Sequence, residues 1–480
     1  MLSPSFNAIV PIVCVVAAGI AALLAEAVRK PGERLPIAGL GIIGLLAAGV
    51  SAASLWGRNA TSFGVVSADN FGLFIVLVLV VIGLLTMAFS SQVVGRDHLP
   101  GGEYYGVTLL GLGGMMLMAT ANDLLVIFLA LEVLSLSVYV LTAIRRDSEA
   151  STEGGFKYFL LGGFSSALFV YGIAFAYGIT GSTRLDRIGS VLAAHSMGEN
   201  PLALVALGLL LVGFAFKVSA VPFHMWTPDA YQGAPTIVTG FMSTGVKAAA
   251  FGAFARVFLS AFEPLRPDWT PVLWMIAAAT MIFGTIAAVL QTNMKRMLAY
   301  SSIAHAGYIL VGIVSANEVG KAGILFYLLA YGVANLAAFA TIALLGTRER
   351  QNDDLKDVSG LATSHPAIAA LMTVFLLSLG GMPPTAGFVA KWYVFSAAVS
   401  AGYYWLAIIG VLTSVVSIFF YLRIVVMMYM AEPAGGAAGL PALSRIGVVT
   451  LAVSMIAVFY LGILPSRVLN LATASIGTIF

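Results

Sequence analysis

Residues 124–141 read LLVIFLALEVLSLSVYVL and contain a single charged side chain, Glu132. A helix of this length reaches about 27 Å, which is close to the hydrocarbon thickness of a bilayer. The rest of the chain is similar, since 60% of its 480 residues are hydrophobic and only 9% are charged. So few charges cannot cover a soluble protein of this size, and so many apolar residues exclude a disordered chain. The sequence therefore predicts an all-α polytopic membrane protein.

Fourteen apolar stretches are each long enough to cross a membrane once, and short polar connectors separate them. The first has no basic residue before Arg29, so we interpret it as a retained helix rather than a signal peptide. One cysteine, Cys14, and five histidines exclude a disulfide framework and a cysteine-based metal site, and the net charge of +3 gives no sign of nucleic-acid binding. The predicted transmembrane helices are centred near residues 16, 46, 82, 113, 133, 167, 211, 247, 280, 307, 334, 383, 416 and 455.

The distribution of lysine and arginine predicts the orientation of the chain. Twelve basic residues fall in every second connector, whereas five fall in the others. Because basic connectors face the cytoplasm, fourteen spans place both termini on the opposite side of the membrane. The cytoplasmic set is Arg29, Lys30, Arg34, Arg96, Arg145, Arg146, Lys295, Arg296, Arg348, Arg350, Lys356 and Arg445. The other set is Arg58, Arg184, Arg187, Arg266 and Lys321.

Several ionisable residues lie where no connector can hold them. Glu132 is about 14 Å from the start of its helix, near the midplane, and Lys247 is similarly central. Each central charge costs at least about 2.5–3.5 kcal/mol on insertion, and a midplane group is too deep to reach the headgroups. A static ion pair alone is a weak reason to keep such charges. The central set is Glu132, Lys217, Lys247, His305 and Lys391.

Proton handling is the chemistry that this set suits. Burial disfavours the charged form of a lysine, and a nearby carboxylate favours it. A buried lysine that separates from Glu132 therefore becomes a proton donor. His305 suits a relay position because histidine titrates near neutrality, and the alternative is a hydrogen-bonded interior histidine. Tyr300 lies one and a half turns before His305 and is a further candidate, as is Lys157, which is near enough to a helix end to reach the headgroups instead.

Prolines and glycines interrupt two of the predicted helices. The first interruption is KVSAVPFHMWTPDAYQGAPT, residues 217–236, and the second is SLGGMPPTAGFVAKWYVF, residues 378–395. Proline removes a helix donor, and irregular backbone survives in a membrane only inside protein or beside a water-filled cavity. Each interruption has a lysine close by, Lys217 or Lys391. Paired broken helices indicate a transport site built from inverted repeats.

Two similar spacings suggest where those repeats lie. Glu132 and Lys217 are 85 residues apart, and His305 and Lys391 are 86 apart. We predict two inverted five-helix repeats with broken helices 7 and 12. Their predicted bounds, with the flanking segments, are a three-helix segment 1–103, the repeats 104–261 and 270–430, and a C-terminal helix 431–480.

Three polar positions are expected near the membrane surfaces. His224 and Asp229 follow the first interruption and could form a proton entrance, although a locally capped turn explains Asp229 equally well. Asp123 precedes an apolar helix and is expected to cap it. The charged run 348–357 is expected to be a solvated loop.

Three stretches carry a family resemblance: FKVSAVPFHMWTPDAYQGAPT (216–236), SSIAHAGY (301–308) and GGMPPTAGFVAKWYVF (380–395). They resemble signature regions of the antiporter-like membrane subunits of respiratory complex I, which are similar to subunits of multi-subunit cation/proton antiporters. The resemblance covers essentially the whole chain. Two features distinguish the chain from sister subunits. Lys391 stands where subunit M carries glutamate, and the chain stops soon after its last span, where subunit L continues into a long lateral helix.

The resemblance implies a role for each central residue. Glu132 would be the helix-5 carboxylate, paired with Lys217 at the first break. Lys247 would be the connecting lysine of helix 8. His305 would lie on the central relay, and Lys391 would be the helix-12 group on the exit side.

The resemblance also implies the setting of the chain. It implies a bacterial plasma membrane, redox-driven proton translocation, and contacts with subunit M and with the small quinone-side subunits. NADH, FMN, iron–sulfur clusters and quinone would bind to other subunits, since this chain has no motif for a redox cofactor. Two other functions remain open: a Na⁺/H⁺ antiporter or one of its subunits, and a passive membrane scaffold.

Overall fold

The computed structural model describes residues 4–29, 36–194, 200–347, 352–432 and 444–479. Part of the predicted solvated loop, residues 348–351, is outside these ranges. Four of the basic residues used to predict the orientation also lie outside the described residues, namely Lys30, Arg34, Arg348 and Arg350.

The described residues form twenty α-helices and one short hairpin. The helices are α1 Val10–Val28, α2 Ile37–Leu55, α3 Asn70–Arg96, α4 Gly101–Thr120, α5 Leu124–Thr142, α6 Glu149–Thr180, α7 Leu185–Ala194, α8 Pro201–Lys217, α9 Trp226–Gly233, α10 Thr236–Phe241, α11 Lys247–Arg256, α12 Arg266–Val289, α13 Met294–Ser315, α14 Glu318–Leu345, α15 Leu361–Ser364, α16 Pro366–Gly380, α17 Ala386–Ser400, α18 Tyr404–Met430, α19 Arg445–Ile463 and α20 Ser466–Ile476. Strands β1 Ala60–Ser62 and β2 Val66–Ala68 pair antiparallel, with Thr61 opposite Ser67.

The fold class predicted from composition is confirmed at the level of an all-helical, multi-span membrane protein. Among the described residues, eleven helical segments are long and apolar enough to cross a membrane. Thirteen of the fourteen predicted centres lie within helices, and the remaining one, Pro383, lies in the gap between α16 and α17. Short π-helical segments, Met242–Val246 and Val257–Ala261, follow α10 and α11 and join them into one span, Thr236–Ala261.

The most buried helices lie at the centre of the body. The span Thr236–Ala261 is buried along its whole length, and α13 and α14 are buried along almost all of theirs. By contrast, α1, α2, α6, α18 and α19 leave most of their apolar surface exposed, as expected of helices that face lipid. Most groups carried by α11, α13 and α14 are therefore shielded from lipid.

Both predicted helix interruptions are present. Helix α8 ends at Lys217, and Ser219 adopts a positive φ of 62° before α9 begins. Helix α16 ends at Gly380, and Gly381, with a φ of 85°, follows it. A side chain at Gly387 would lie 1.7 Å from the Ser378 carbonyl oxygen, so only glycine lets α17 pack this closely on α16.

Asp123 caps α5, as predicted. Its carboxylate accepts hydrogen bonds from the backbone amides of Leu125 at 2.9 Å and Val126 at 3.2 Å. It also accepts from the Thr183 hydroxyl at 2.6 Å. The cap fixes where α5 begins, and thereby the depth at which Glu132 lies eight residues further on.

Candidate functional site

Four of the five central residues are almost fully buried. At most 4% of the surface of Lys217, Lys247, His305 or Lys391 is exposed. Glu132 is half-buried and faces α6. A buried charge without partners is very costly, so three lysines and a histidine inside one body each require hydrogen-bond partners.

Lys217 lies at the end of α8 and points towards α5. Its ammonium group donates to the Ser135 hydroxyl at 2.7 Å. The nitrogen also lies 5.7 Å and 5.6 Å from the ring centroids of Tyr139 and Tyr158, where an aromatic face stabilises a cation. The hydroxyl of Tyr158 is buried and has no hydrogen-bond partner among the described residues.

The implied pairing of Glu132 with Lys217 is not a direct ion pair in this structure. Among the described residues no salt bridge joins the two side chains, and Glu132 instead accepts a 2.5 Å hydrogen bond from Ser166 on α6. Ser166 and Lys217 line a common cavity of about 10 Å³. A cavity of this volume is close to the minimum that holds one water molecule. Glu132 and Lys217 are thus close to each other, but Glu132 bonds Ser166 and Lys217 bonds Ser135.

Lys247 begins α11, directly after the first π-helical segment. Its ammonium group donates to both the carbonyl and the hydroxyl oxygen of Ser302 on α13, each at 2.5 Å. The hydroxyl of Tyr331 on α14 donates to the same Ser302 hydroxyl at 2.8 Å. Ser302 therefore connects the central lysine to a phenol group.

His305 is held between two tyrosines one turn along α13 from Ser302. Its Nδ1 lies 2.7 Å from the Tyr327 hydroxyl, and its Nε2 lies 3.2 Å from the Tyr421 hydroxyl. Tyr421 in turn shares a short hydrogen bond with Ser301. Because a phenol can donate or accept, either tautomer of His305 finds a partner on both nitrogens.

Lys391 lies on α17, beside the second helix interruption. Its ammonium group donates to the Gly380 carbonyl at 3.0 Å and to the Ser414 hydroxyl at 2.7 Å. The nitrogen also lies 4.9 Å from the ring centroid of Tyr308. The carbonyl that ends α16 is thus satisfied by the lysine, which explains how an interrupted helix persists inside the body.

Aromatic rings connect these groups into a row. The His305 ring lies 4.9 Å from the Tyr331 ring, which adjoins Lys247, and 5.6 Å from the Tyr308 ring, which adjoins Lys391. The structure therefore brings together three of the predicted residues through shared neighbours. We call Lys247, Ser302, His305, Tyr308 and Lys391, with their tyrosine partners, the central row.

The route from Lys217 to the central row passes through aromatic side chains. Tyr158, beside Lys217, stacks on Trp226 with ring centroids 4.0 Å apart. The Trp226 ring centroid lies 6.0 Å from that of Tyr231. No continuous line of hydrogen bonds spans this part within the described residues.

Lys157 and Asp229 belong to a separate, partly exposed cluster. The Lys157 ammonium lies 2.7 Å from Glu153 and 2.9 Å from Asp229, and Arg296 lies 2.7 Å from the other oxygen of Asp229. The Lys157 side chain is 43% exposed. Arg296 also donates to Gln232 at 3.0 Å. We call these five residues the ionic cluster. Asp229 is therefore bound to two basic side chains rather than serving as a local cap alone.

The other two candidates lie apart from both groups. His224 packs edge-on against Phe283, with centroids 4.6 Å apart, and its Nδ1 has no partner among the described residues. The Tyr300 ring lies 6.4 Å from Phe283, and no hydrogen bond within the described residues joins it to His305. The structure thus does not bring either residue into the central row.

Two buried basic groups were missed in the sequence. Arg256 forms a bidentate ion pair with Asp69, with nitrogen–oxygen distances of 2.8 and 2.9 Å. It lies nine residues after Lys247 in the same apolar stretch, so the rule that identified Lys247 also applies to it. Lys295, which we assigned to a connector, is fully buried and donates to the carbonyls of Gln232 at 2.8 Å and Ala234 at 2.6 Å. It anchors the link between α9 and α10.

A comparison with known protein families covers the whole site. The family described as NADH:quinone oxidoreductase/Mrp antiporter, TM, matches residues 121–417. The chain belongs to this family. The match includes all five central residues, and it extends over 62% of the chain.

Individual members of the family are similar over nearly the full length. NADH-quinone oxidoreductase subunit N of Trichlorobacter lovleyi is 47% identical over 426 residues, which is 88% of each chain. A chain of respiratory complex I from Thermus thermophilus, solved with bound aureothin, is 34% identical with a TM-score of 0.82, and the match covers 96% of this chain and 99% of that one. A chain of the Mrp complex from a Dietzia species is 22% identical with a TM-score of 0.84, covering 100% and 98%, and shares the fold.

Proposed function

We infer that the chain is subunit N of a bacterial NADH-quinone oxidoreductase and translocates protons within its membrane arm. Its relatives of that name are similar over most of their length, which supports the assignment. The observation that carries the mechanism is the central row. It places two lysines and a histidine in the buried middle of the body, each hydrogen-bonded to a serine or tyrosine hydroxyl.

The hydroxyl partners in the row suit proton transfer because each can both donate and accept a hydrogen bond. Lysine, when neutral, accepts a proton, and serine and tyrosine hydroxyls pass one by exchanging donor and acceptor roles. Lys247 loads the row through Ser302, which Tyr331 also contacts. His305 and Lys391 are in contact with the rings of Tyr331 and Tyr308 and are not hydrogen-bonded to them, so transfer to His305 and on to Lys391, the group on the exit side, proceeds through intervening water or side-chain rotation.

Glu132 and Lys217 form the electrostatic switch. Glu132 holds Ser166 in this structure, and the small cavity between Ser166 and Lys217 is of the size that one water requires. When the carboxylate turns towards Lys217, the lysine retains its proton, and when it turns away, the proton is released towards the row. Tyr158, Trp226 and Tyr231 lie along the way from Lys217 to the central row, and the proton crosses this aromatic segment through intervening water or side-chain rotation.

The ionic cluster is the cytoplasmic entrance. It lies beside the basic connectors that predict the cytoplasmic side, and Asp229 connects Lys157 of α6 with Arg296 of α13. Partly exposed carboxylates and amines exchange protons with water, whereas the central row cannot do so directly. Both termini then lie on the extracytoplasmic side of the plasma membrane.

Fourteen spans in two inverted repeats describe the architecture of such a subunit. Within the described residues, eleven spans are long single segments, α4 adds one, and the interrupted pairs α8–α9 and α16–α17 add two more. The repeats 104–261 and 270–430 each contain one interrupted pair with a lysine close to the gap, Lys217 or Lys391. The segments 1–103 and 431–480 flank them.

Redox chemistry belongs to other parts of the assembly. Subunit M and the small quinone-side subunits are the expected membrane neighbours. NADH, FMN, the iron–sulfur clusters and quinone are bound by partners, and electron transfer from NADH, which is oxidised, to quinone, which is reduced, drives the switch. The alternative, an Na⁺/H⁺ antiporter subunit, has the weaker support, because the Mrp chain is only 22% identical and shows the fold alone.

The test compares variants of the assembled complex in proteoliposomes. We expect Glu132→Gln and Lys217→Ala to lower the protons moved per NADH oxidised, because either change disables the switch. Normal assembly with unchanged pumping in both variants would favour a scaffold. Pumping that requires sodium ions would favour the antiporter alternative.

A further inference from the structure

An apolar groove opens on the outer surface of the body, away from the site. Its volume is about 340 Å³, and four helices form it: α2, α3, α14 and α20. The lining contains almost only carbon atoms at its surface. It consists of Ala53, Trp56, Phe74, Leu77, Val78, Val81, Leu329, Val468 and Leu471.

The groove begins at the extracytoplasmic end of these helices. Trp56 follows the last residue of α2, and Phe74 lies in the second turn of α3. Tryptophan is typical of the level at which the acyl chains meet the headgroups. Val81 and Leu329 are each about 16 Å from the start of their helices, so the groove extends from the headgroup level towards the midplane.

Two arginines adjoin lining residues of the groove along the chain. Arg58 is two residues after Trp56, and Arg467 directly precedes Val468. Both side chains are exposed, and neither forms an ion pair with another described residue. Two exposed guanidinium groups this close in sequence to an apolar groove supply a phosphate-binding group beside an acyl-binding surface.

We propose that this groove is a binding site for an anionic phospholipid, with one acyl chain in the groove and the phosphate between Arg58 and Arg467. A transmembrane helix of a partner is a poorer occupant. Helices in membranes approach each other over small residues, whereas all but one of the lining residues are large. A flexible acyl chain fits between large side chains without such close approach.

The bound lipid would support the helix that faces the central row. Leu329, in the wall of the groove, lies between Tyr327 and Tyr331 in sequence, and those tyrosines contact His305 and Ser302 on the opposite side of α14. The lipid also joins the amphipathic α20 to α3 and α14. The proposal concerns the outer surface, and it stands whether or not the row conducts protons.

The experiment uses the assembled complex in phosphatidylcholine vesicles. A small fraction of phosphatidylglycerol carries a photoactivatable diazirine near the end of one acyl chain, and labelled peptides are mapped by mass spectrometry. We expect labelling of the peptide that contains residues 74–81. Arg58→Gln and Arg467→Gln should each reduce this labelling about fivefold, since one basic residue near an anionic lipid contributes about that factor.

Controls separate the site from general lipid contact. Arg187→Gln removes another exposed extracytoplasmic arginine, and it should leave the labelling of residues 74–81 unchanged. A phosphatidylcholine probe should label these residues much less. Labelling that is equal for both lipids, or insensitive to both arginine variants, would overturn the proposal. So would crosslinks that show another subunit lying in the groove.

Discussion

Replacement of Ser302 by alanine tests the central row at its most connected atom. The Ser302 hydroxyl accepts hydrogen bonds from Lys247 at 2.5 Å and from Tyr331 at 2.8 Å, and all three side chains are buried. A hydrogen bond to a charged group contributes about 1.5–3 kcal/mol. Because about 1.4 kcal/mol changes a rate tenfold, we expect proton transfer through Lys247 to slow by roughly 10- to 150-fold.

The assay is proton uptake by proteoliposomes, measured per NADH oxidised, with the amount of assembled complex determined in parallel. Ser90→Ala is the matched control, because it removes a buried serine–tyrosine hydrogen bond of 2.7 Å, to Tyr104, outside the central row. Ser302→Thr retains the hydroxyl and should restore a large part of the rate. Wild-type pumping by Ser302→Ala in fully assembled complex would refute the reasoning.

Three further changes address the fold and the entrance. Gly387→Ala places a carbon 1.7 Å from the Ser378 carbonyl oxygen, so we expect the yield of assembled complex, measured on native gels, to fall severely. Asp229→Asn removes the carboxylate of the ionic cluster and should slow pumping, more strongly when the opposing proton gradient across the membrane is large than when it is small. Its effect on thermal stability should stay below about 1 kcal/mol because the ion pairs are partly exposed. Arg256→Met leaves the buried Asp69 carboxylate without its cationic partner, with the Gly72 amide still donating to it, which should cost about 3–5 kcal/mol and lower the thermal denaturation midpoint of the complex.

Two of these changes, those of Gly387 and Arg256, have a matched control. Gly163→Ala, on the exposed face of α6, meets no atom within 4 Å and should leave assembly unchanged. Replacement of both members of the buried ion pair, Asp69→Asn with Arg256→Met, keeps an oxygen that accepts from the Gly72 amide at the start of α3 and should be less harmful than the arginine change alone. Normal assembly of Gly387→Ala, wild-type pumping by Asp229→Asn, or wild-type stability of Arg256→Met would each contradict its own argument.

The interrupted helices could be predicted because their cause is local. Proline and glycine act on the residues beside them, so Pro222 and Pro384 mark the gaps that separate α8 from α9 and α16 from α17. The buried charges were also visible, since hydropathy places Glu132 and Lys247 far from any connector. Both signals depend on the sequence within one helix.

The partners of those charges could not be predicted, because they depend on how helices pack. Nothing in the sequence distinguishes Tyr327, Tyr331 and Tyr421 from other aromatic residues of apolar helices, yet they surround His305 and Ser302. The separation of Glu132 from Lys217 likewise depends on the rotation of α5 and α8, which the spacing of 85 residues does not determine.

Lys295 is a buried residue that the local sequence marks as solvated. Its place after a polar connector predicted a solvated residue, but the chain between α9 and α10 covers it and supplies two carbonyl groups. Burial of a connector residue depends on a segment some sixty residues away in the chain, so hydropathy along a single stretch does not reveal it.

Lys391→Met tests most directly whether protons cross the membrane through this subunit. Methionine keeps a long unbranched side chain and removes the charge. The ratio of protons moved to NADH oxidised, in complex with normal assembly, is the quantity to measure. We expect the ratio to fall, because the last titratable group of the row is lost. A ratio equal to that of the unmodified complex would contradict a proton path through Lys391.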